Sequence, residues 1–130
     1  MRDVAGIAAD ATYFYVVGRT DGTTATEGIF RLERANLSAP AVRLATVDIN
    51  TARASIEIDD LVAPTYLYFR ADDGAVHVIA DPAGAAPRHL GAINSAIGNP
   101  SNETMAIDRA TGALYVTSPT SSAAPYYRLD

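Results

Sequence analysis

The chain's most regularly spaced residues with chemical potential are three aspartates. Asp10, Asp59 and Asp108 follow one another at an interval of 49 residues each time, and each comes directly after a short apolar segment. Carboxylates at equivalent positions of a repeat could surround a common axis and hold a cation. They could instead accept hydrogen bonds from the amides of the turns that they begin. Because the second role requires only the local turn, we expect the aspartates to cap turns.

The two histidines, His77 and His89, are the other candidates for metal chemistry. They form no His-x-His or His-Glu-x-x-His pattern and no carboxylate cluster accompanies them, whereas a zinc site needs several ligands at suitable spacing. Both lie in predicted strands. The sequence therefore predicts ordinary polar strand positions for the histidines, with no metal and no cofactor.

Motifs for covalent catalysis and for nucleotide binding are missing from the sequence. There is no cysteine, no Gly-x-Ser-x-Gly, no phosphate-binding glycine loop and no dinucleotide fingerprint. Ser118, Ser121 and Ser122 fall in Thr117–Pro125, which we interpret as a long surface hairpin loop without a nearby histidine. We therefore predict no catalytic residue in this chain.

The aspartates mark an internal repeat, with units at approximately 5–50, 54–99 and 103–130. A period of this length is typical of solenoids and propellers, in which each unit buries its apolar faces against its neighbours. Short segments rich in Val, Ile, Tyr and Phe, separated by turn residues, predict strands. The predicted strands are 6–9, 13–17, 28–32 and 41–45; 55–58, 65–69, 75–79 and 88–93; and 104–107, 113–116 and 126–129.

Helical periodicity is not evident in any long segment of the sequence. Asp48–Ile58 could hold one short helical turn, and we interpret it as the connector between the first two units. Asp21-Gly22 and Asp72-Asp73-Gly74 are typical of hairpin turns. The pattern predicts four strands in each of the first two units and three strands in the last.

The stretch Met105–Val116 resembles the blade opening of NHL-type and YWTD-type β-propellers. It has an apolar strand, Asp108, a turn that ends in Thr111-Gly112, and an apolar-Tyr-apolar strand. In such a turn the aspartate accepts amide hydrogen bonds and the glycine can adopt a positive φ. The chain has no tryptophan and the other two units match less closely, so the resemblance implies the fold without a subfamily.

From the repeat and this resemblance we expect an all-β, propeller-like array of four-stranded antiparallel blades, with about two full blades and a three-stranded third, in a single partial domain over residues 1–130. A propeller closes with 4 to 8 blades. Either the chain is a portion of a larger propeller, or two or three copies form a ring in which Met1–Val4 adds an outer strand to another subunit. An open stack and an unrelated β-sandwich are the remaining alternatives.

Composition favours some partners and excludes others. The formal charge is −5, and the ten basic residues are arginines spread singly along the sequence, which argues against nucleic acid. No apolar run is long enough to span a bilayer, so we expect a soluble chain without a membrane partner; no compartment is indicated. Tyr126 and Tyr127, beside the last strand edge, are the predicted contacts to further blades or to another copy.

The expected function is a noncatalytic scaffold that binds a protein or a small ligand, because the fold serves many functions and no catalytic motif is present. Two alternatives stay open at this point. The chain could contribute to a propeller lyase or hydrolase whose active site needs further blades, or copies of it could assemble into a lectin-like ring.

Overall fold

A computed structural model of the protein describes residues 1–23, 26–46, 55–61, 63–70, 74–93, 104–117 and 126–129, with the backbone alone for the last range. Within these ranges the chain forms strands and no α-helix. The strands are β1 (Asp3–Ala9), β2 (Tyr13–Arg19), β3 (Glu27–Glu33), β4 (Val42–Ala45), β5 (Ile56–Asp59), β6 (Tyr66–Arg70), β7 (Val76–Ala80), β8 (Arg88–Ala92), β9 (Met105–Ile107), β10 (Leu114–Thr117) and β11 (Tyr126–Leu129).

The strands form three antiparallel sheets, one for each unit of the sequence repeat. The first sheet has the order β1-β2-β3-β4, the second has the order β5-β6-β7-β8, and the third contains β9, β10 and β11 in sequence order. Each strand pairs with its neighbours along the chain, which short turns permit only in an antiparallel sheet. The prediction of an all-β chain built from four-stranded antiparallel units is therefore confirmed for the described residues.

The first strand is longer than the sequence indicated. Asp3 and Val4 pair with Arg19 and Gly18 of β2, and an irregularity at the next residue shifts the register before Gly6. The expectation that Met1–Val4 serves as an outer strand for another subunit is therefore wrong for Asp3 and Val4. The bulge lets β1 continue although its apolar and polar residues do not alternate regularly there. An analysis of hydrophobic periodicity alone therefore does not predict that Asp3 and Val4 belong to the strand.

The first and second sheets pack face to face around one apolar core. Because strand side chains alternate between the two faces of a sheet, every second residue of each central strand reaches this core. The buried members are Tyr15, Val17, Ile29, Leu44, Ala45, Ile56, Ile58, Leu67, Phe69 and Ile79. This core includes the ring of Tyr15, whose exposed fraction is 0%.

A second, smaller core lies between the second and third sheets. Val76 packs there with Met105, Leu114 and Val116, and Tyr68 lies against the same cluster. The second sheet is therefore the middle layer of the stack. Along the stack the first strands are neighbours: β1 contacts β5, and β5 contacts β9.

Several predicted segments fall outside the described residues. These are the connector within 48–54, most of the hairpin 72–74, the loop 118–125 and the side chains of Tyr126 and Tyr127. Among the residues that are described, no helix is long and apolar enough to cross a membrane.

Candidate functional site

The three repeated aspartates make the same local hydrogen bond. In each case Oδ1 accepts the amide of the residue two positions later, at 2.7 Å for Asp10, 3.1 Å for Asp59 and 2.9 Å for Asp108. This bond fixes the chain reversal after the first strand of every sheet. The predicted capping role is therefore confirmed for all three residues.

Asp10 makes two further hydrogen bonds beside this one. Its Oδ1 also accepts the amide of Tyr13 at 2.6 Å, and its Oδ2 accepts the hydroxyl of Tyr15 at 2.6 Å. Burial opposes ionisation of Asp10, but these hydrogen bonds, with the positive charge of Arg34, outweigh it and hold the pKa of Asp10 below its ordinary value. Burial, followed by the bond to Asp10, raises the pKa of Tyr15 far above its ordinary value.

The turn after β9 has the geometry that its sequence predicts. Thr111 donates its hydroxyl to Oδ2 of Asp108 at 2.8 Å, and the amide of Gly112 donates to the Asp108 carbonyl at 2.7 Å. Gly112 has a φ of 74°, a conformation that a side chain would penalise.

Polar contacts between sheets join residues about one repeat apart. Arg109 and Asp60, separated by 49 positions, form an ion pair of 2.8 Å between the third and second sheets. The amide of Met105 donates to Oγ of Ser55, 50 positions earlier, at 3.0 Å. Because both separations equal the repeat within one residue, these contacts join corresponding ends of the two sheets.

A comparable contact joins the first and second sheets. Nη1 of Arg31 donates to the carbonyls of Pro82 and Gly84, both at 2.8 Å, across separations of 51 and 53 residues. These carbonyls belong to the loop between β7 and β8. The same guanidinium lies 4.8 Å from the ring centre of Tyr13, a cation–π distance that fixes both side chains.

A groove opens beside this arginine. It has a volume of about 120 Å³ and is lined by Tyr13, Arg31, Glu33, Ala39, Pro40 and Val42. The lining therefore combines an aromatic ring, a cation and an anion with small apolar surfaces. Sequence analysis did not single out these residues, because the groove exists only once β3 pairs with β2 and the loop before β4 folds over them.

Glu57 is a partly buried carboxyl group between the second and third sheets, and its pKa is raised. Its neighbours in β5, Ile56 and Ile58, point into the core shared with the first sheet, so alternation directs Glu57 toward the third sheet. Burial raises its pKa, and the positive charge of Arg109 opposes that rise. Folding therefore disfavours the ionised form of Glu57, and Arg109 offsets only part of that cost.

The two histidines lie side by side, which the sequence did not indicate. Nδ1 of His77 is 3.1 Å from Nε2 of His89, a hydrogen-bond distance. Both rings also contact Phe69, at centroid distances of 5.5 and 5.6 Å. Burial, and then the proximity of His77, lower the pKa of His89.

The structure thus brings the histidines together and assigns each aspartate to its own turn. Among the described residues, no group of three or more His, Cys, Asp or Glu side chains is arranged to hold a metal ion. Comparisons with protein families, with curated proteins and with solved structures found no match to this chain.

Proposed function

We propose that this chain is part of a noncatalytic β-propeller-like scaffold that binds a protein or small ligand through the end of the stack that carries Asp10, Asp59 and Asp108. The observation that supports the proposal is that two polar contacts between the second and third sheets join residues about one repeat apart. Asp60 and Arg109, 49 positions apart, are equivalent residues of successive units, and Met105 contacts Ser55, which lies one residue before the equivalent of Met105. Stacking of this kind, with first strands as neighbours, is the arrangement of propeller blades.

The stack has an apolar face on which a further blade would pack. On the side of the first sheet turned away from the second sheet, Val16 and Phe30 are cross-strand partners. Ile7 pairs with Val16 on the same side and is 59% exposed, and Val4 is 55% exposed. Val16 and Phe30 are themselves buried, at 5% and 3%, so the apolar surface open to a partner is that of Ile7 and Val4. Neighbouring exposed apolar side chains favour an interaction site.

The partner that fits this face is a further blade, either from another copy of the chain or from additional units. The guanidinium groups of Arg34 and Arg43 lie over the rings of Phe14 and Phe30, 5.2 and 5.4 Å from the ring centres. Long side chains of this kind shield an apolar face from water and can swing aside when a partner covers it. In the third sheet, at the opposite side of the stack from the first sheet, β11 is an edge strand. We propose that Tyr126 and Tyr127 in this strand contribute to the contact with a further blade.

The groove beside Arg31 supports binding at the end of the stack that carries the three aspartates. Pockets for drug-sized ligands have volumes of roughly 300 to 1,000 Å³, whereas this groove has about 120 Å³. It is large enough for one side chain or a small polar group. Its size therefore favours a partner protein that inserts a side chain over a large organic ligand.

The solution mass of the purified chain, measured by size-exclusion chromatography with light scattering, tests the propeller-like assembly. We expect a discrete dimer or trimer with a cooperative β-sheet unfolding transition. Ile7→Glu should reduce the mass to that of a monomer, because a carboxylate would be buried at the contact. Leu37→Glu is the matched control, since Leu37 is 61% exposed in a loop away from this face. A folded wild-type monomer whose stability Ile7→Glu leaves unchanged would contradict the proposal.

Binding at the groove is tested separately with small probes. N-acetyl amino-acid amides, titrated while the backbone amide signals are followed by NMR, should produce saturable shifts around Tyr13 and Arg31. Arg31→Ala should remove these shifts, whereas Arg88→Ala, on an exposed strand of the second sheet, should leave them intact. Shifts that are absent for every probe, or that persist in Arg31→Ala, would exclude the groove as a binding site.

A further inference from the structure

The contact between His77 and His89 depends on an irregularity in strand pairing. In the pair β7–β8, His77 lies opposite Ala92 and His89 lies opposite Ile79, and the register shifts between Val78 and Ile79. The extra residue in β8 brings the two imidazoles, 12 positions apart in sequence, to an edge-strand surface of the second sheet.

Phe69 holds the two rings in place. Its ring is buried, with an exposed fraction of 0%, and stacks on His77 with an interplanar angle of 25°. His89 lies against the same ring at 42°. A pair of imidazoles supported by a buried aromatic residue loses less side-chain freedom on binding a ligand than two mobile surface histidines would.

We propose that His77 and His89 form a two-imidazole binding site for a borderline divalent metal ion, of which Zn²⁺ is the reference. Imidazole nitrogen is a ligand that suits Zn²⁺, Ni²⁺ and Cu²⁺. Zn–N bonds are about 2.0–2.1 Å long, so two nitrogens on a tetrahedral ion lie roughly 3.3 Å apart. The observed separation of 3.1 Å is within a few tenths of an ångström of that value.

Binding exchanges the hydrogen bond between the rings for two metal–nitrogen bonds. The ion is coordinated by Nδ1 of His77 and Nε2 of His89. Whichever ring donates in the metal-free pair moves its proton to its other nitrogen, so the neutral pair binds the ion without a net loss of protons. His89 is exposed, which gives the ion access from solvent and leaves room for water at its remaining positions.

The test is a Zn²⁺ titration of the full chain. Binding is monitored through the NMR signals of the histidine ring protons and, separately, by calorimetry. The sequence contains two histidines, so two sets of ring signals report the site directly. We expect both sets to shift together and to saturate at one ion per chain. Mg²⁺ should not reproduce the shifts, because it prefers oxygen ligands.

Variants then assign the site. His89→Ala, at an exposed position, should abolish the saturable binding, and His77→Ala should do the same; Arg88→Ala is the control that keeps both imidazoles. Should His77→Ala fail to fold, the wild-type ring signals and His89→Ala decide the outcome without it. Ring signals that Zn²⁺ leaves unchanged, or one-to-one binding that survives in His89→Ala, would overturn the proposal.

Discussion

Asp60 and Arg109 occupy equivalent positions in adjacent units and are joined by an ion pair between their sheets. The carboxylate follows Asp59 and the guanidinium follows Asp108, so each belongs to the turn that its own aspartate caps, and Nη1 lies 2.8 Å from Oδ1. The local turns therefore do more than reverse the chain. They place the next residue of each unit where it meets the corresponding residue of the neighbouring unit.

Because both side chains are partly exposed, this ion pair should contribute little to stability. The exposed fractions are 59% for Arg109 and 35% for Asp60, and surface pairs of this kind contribute about 0.2–1 kcal/mol. A double-mutant cycle with Asp60→Ala and Arg109→Ala, measured by urea unfolding, should give a coupling energy in that range that diminishes in 1 M NaCl. Asp60→Ala with Arg88→Ala should be additive, because Arg88 lies in β8, with β6 and β7 between it and β5. Additive effects for the first pair as well would contradict the contact.

The hydrogen bond between Tyr15 and Asp10 should contribute considerably more to the free energy of unfolding than the ion pair of Asp60 and Arg109. Tyr15 is fully buried, and its hydroxyl donates to a carboxylate at 2.6 Å. Hydrogen bonds to charged groups contribute about 1.5–3 kcal/mol, so Tyr15→Phe, which keeps the ring, should lower the free energy of unfolding by that amount at pH 7. Tyr13→Phe is the control, because Arg31 contacts the face of the Tyr13 ring and this contact does not depend on the hydroxyl. Equal losses in the two variants would show that the hydroxyl of Tyr15 has no special role.

The stability that Asp10 provides should depend on pH in a defined direction. Because its pKa is lower in the folded chain than its ordinary value of 3.8, the stabilisation is complete well above that pH and is lost as the pH falls through the folded-state value. The difference in unfolding free energy between wild type and Asp10→Ala should therefore be largest near neutrality and shrink below pH 3.8. A difference that grows on acidification would contradict this assignment.

Glu57 should show the opposite dependence. Its pKa is raised above the ordinary value of 4.5, so the protonated form is favoured in the folded chain, and stability is lost as the pH rises through the folded-state value. Glu57→Gln should therefore stabilise the chain at pH 7, by less than about 1 kcal/mol because solvent screens a half-buried group. The advantage should disappear below pH 4.5. Glu33→Gln, at an exposed position of β3, is the control and should have little effect at either pH.

The repeat and most strands could be predicted from the sequence because both depend on local pattern. Alternating apolar residues and turn residues specify strands, and an aspartate after each first strand specifies the turn that it caps. The pairing of His77 with His89 was not predicted, because it depends on the register of β7 with β8 and on a bulge. The signal that could have indicated the bulge is Gly91, which lies inside β8 with a φ of 93°. The groove at Arg31 was not predicted either, because its lining comes from three strands and a loop.

The core between the first two sheets should be the largest single source of stability that can be tested. Leu67 lies in β6, at the centre of the middle sheet, with an exposed fraction of 0%. Truncating a buried leucine removes apolar contact and leaves a cavity, so Leu67→Ala should cost about 2–5 kcal/mol. Leu37→Ala makes the same chemical change at a residue that is 61% exposed and should stay within about 0.5 kcal/mol of wild type. Chemical unfolding that gave similar losses for both leucines would mean that the two sheets do not share this core in solution, and the stacked arrangement would then have to be abandoned.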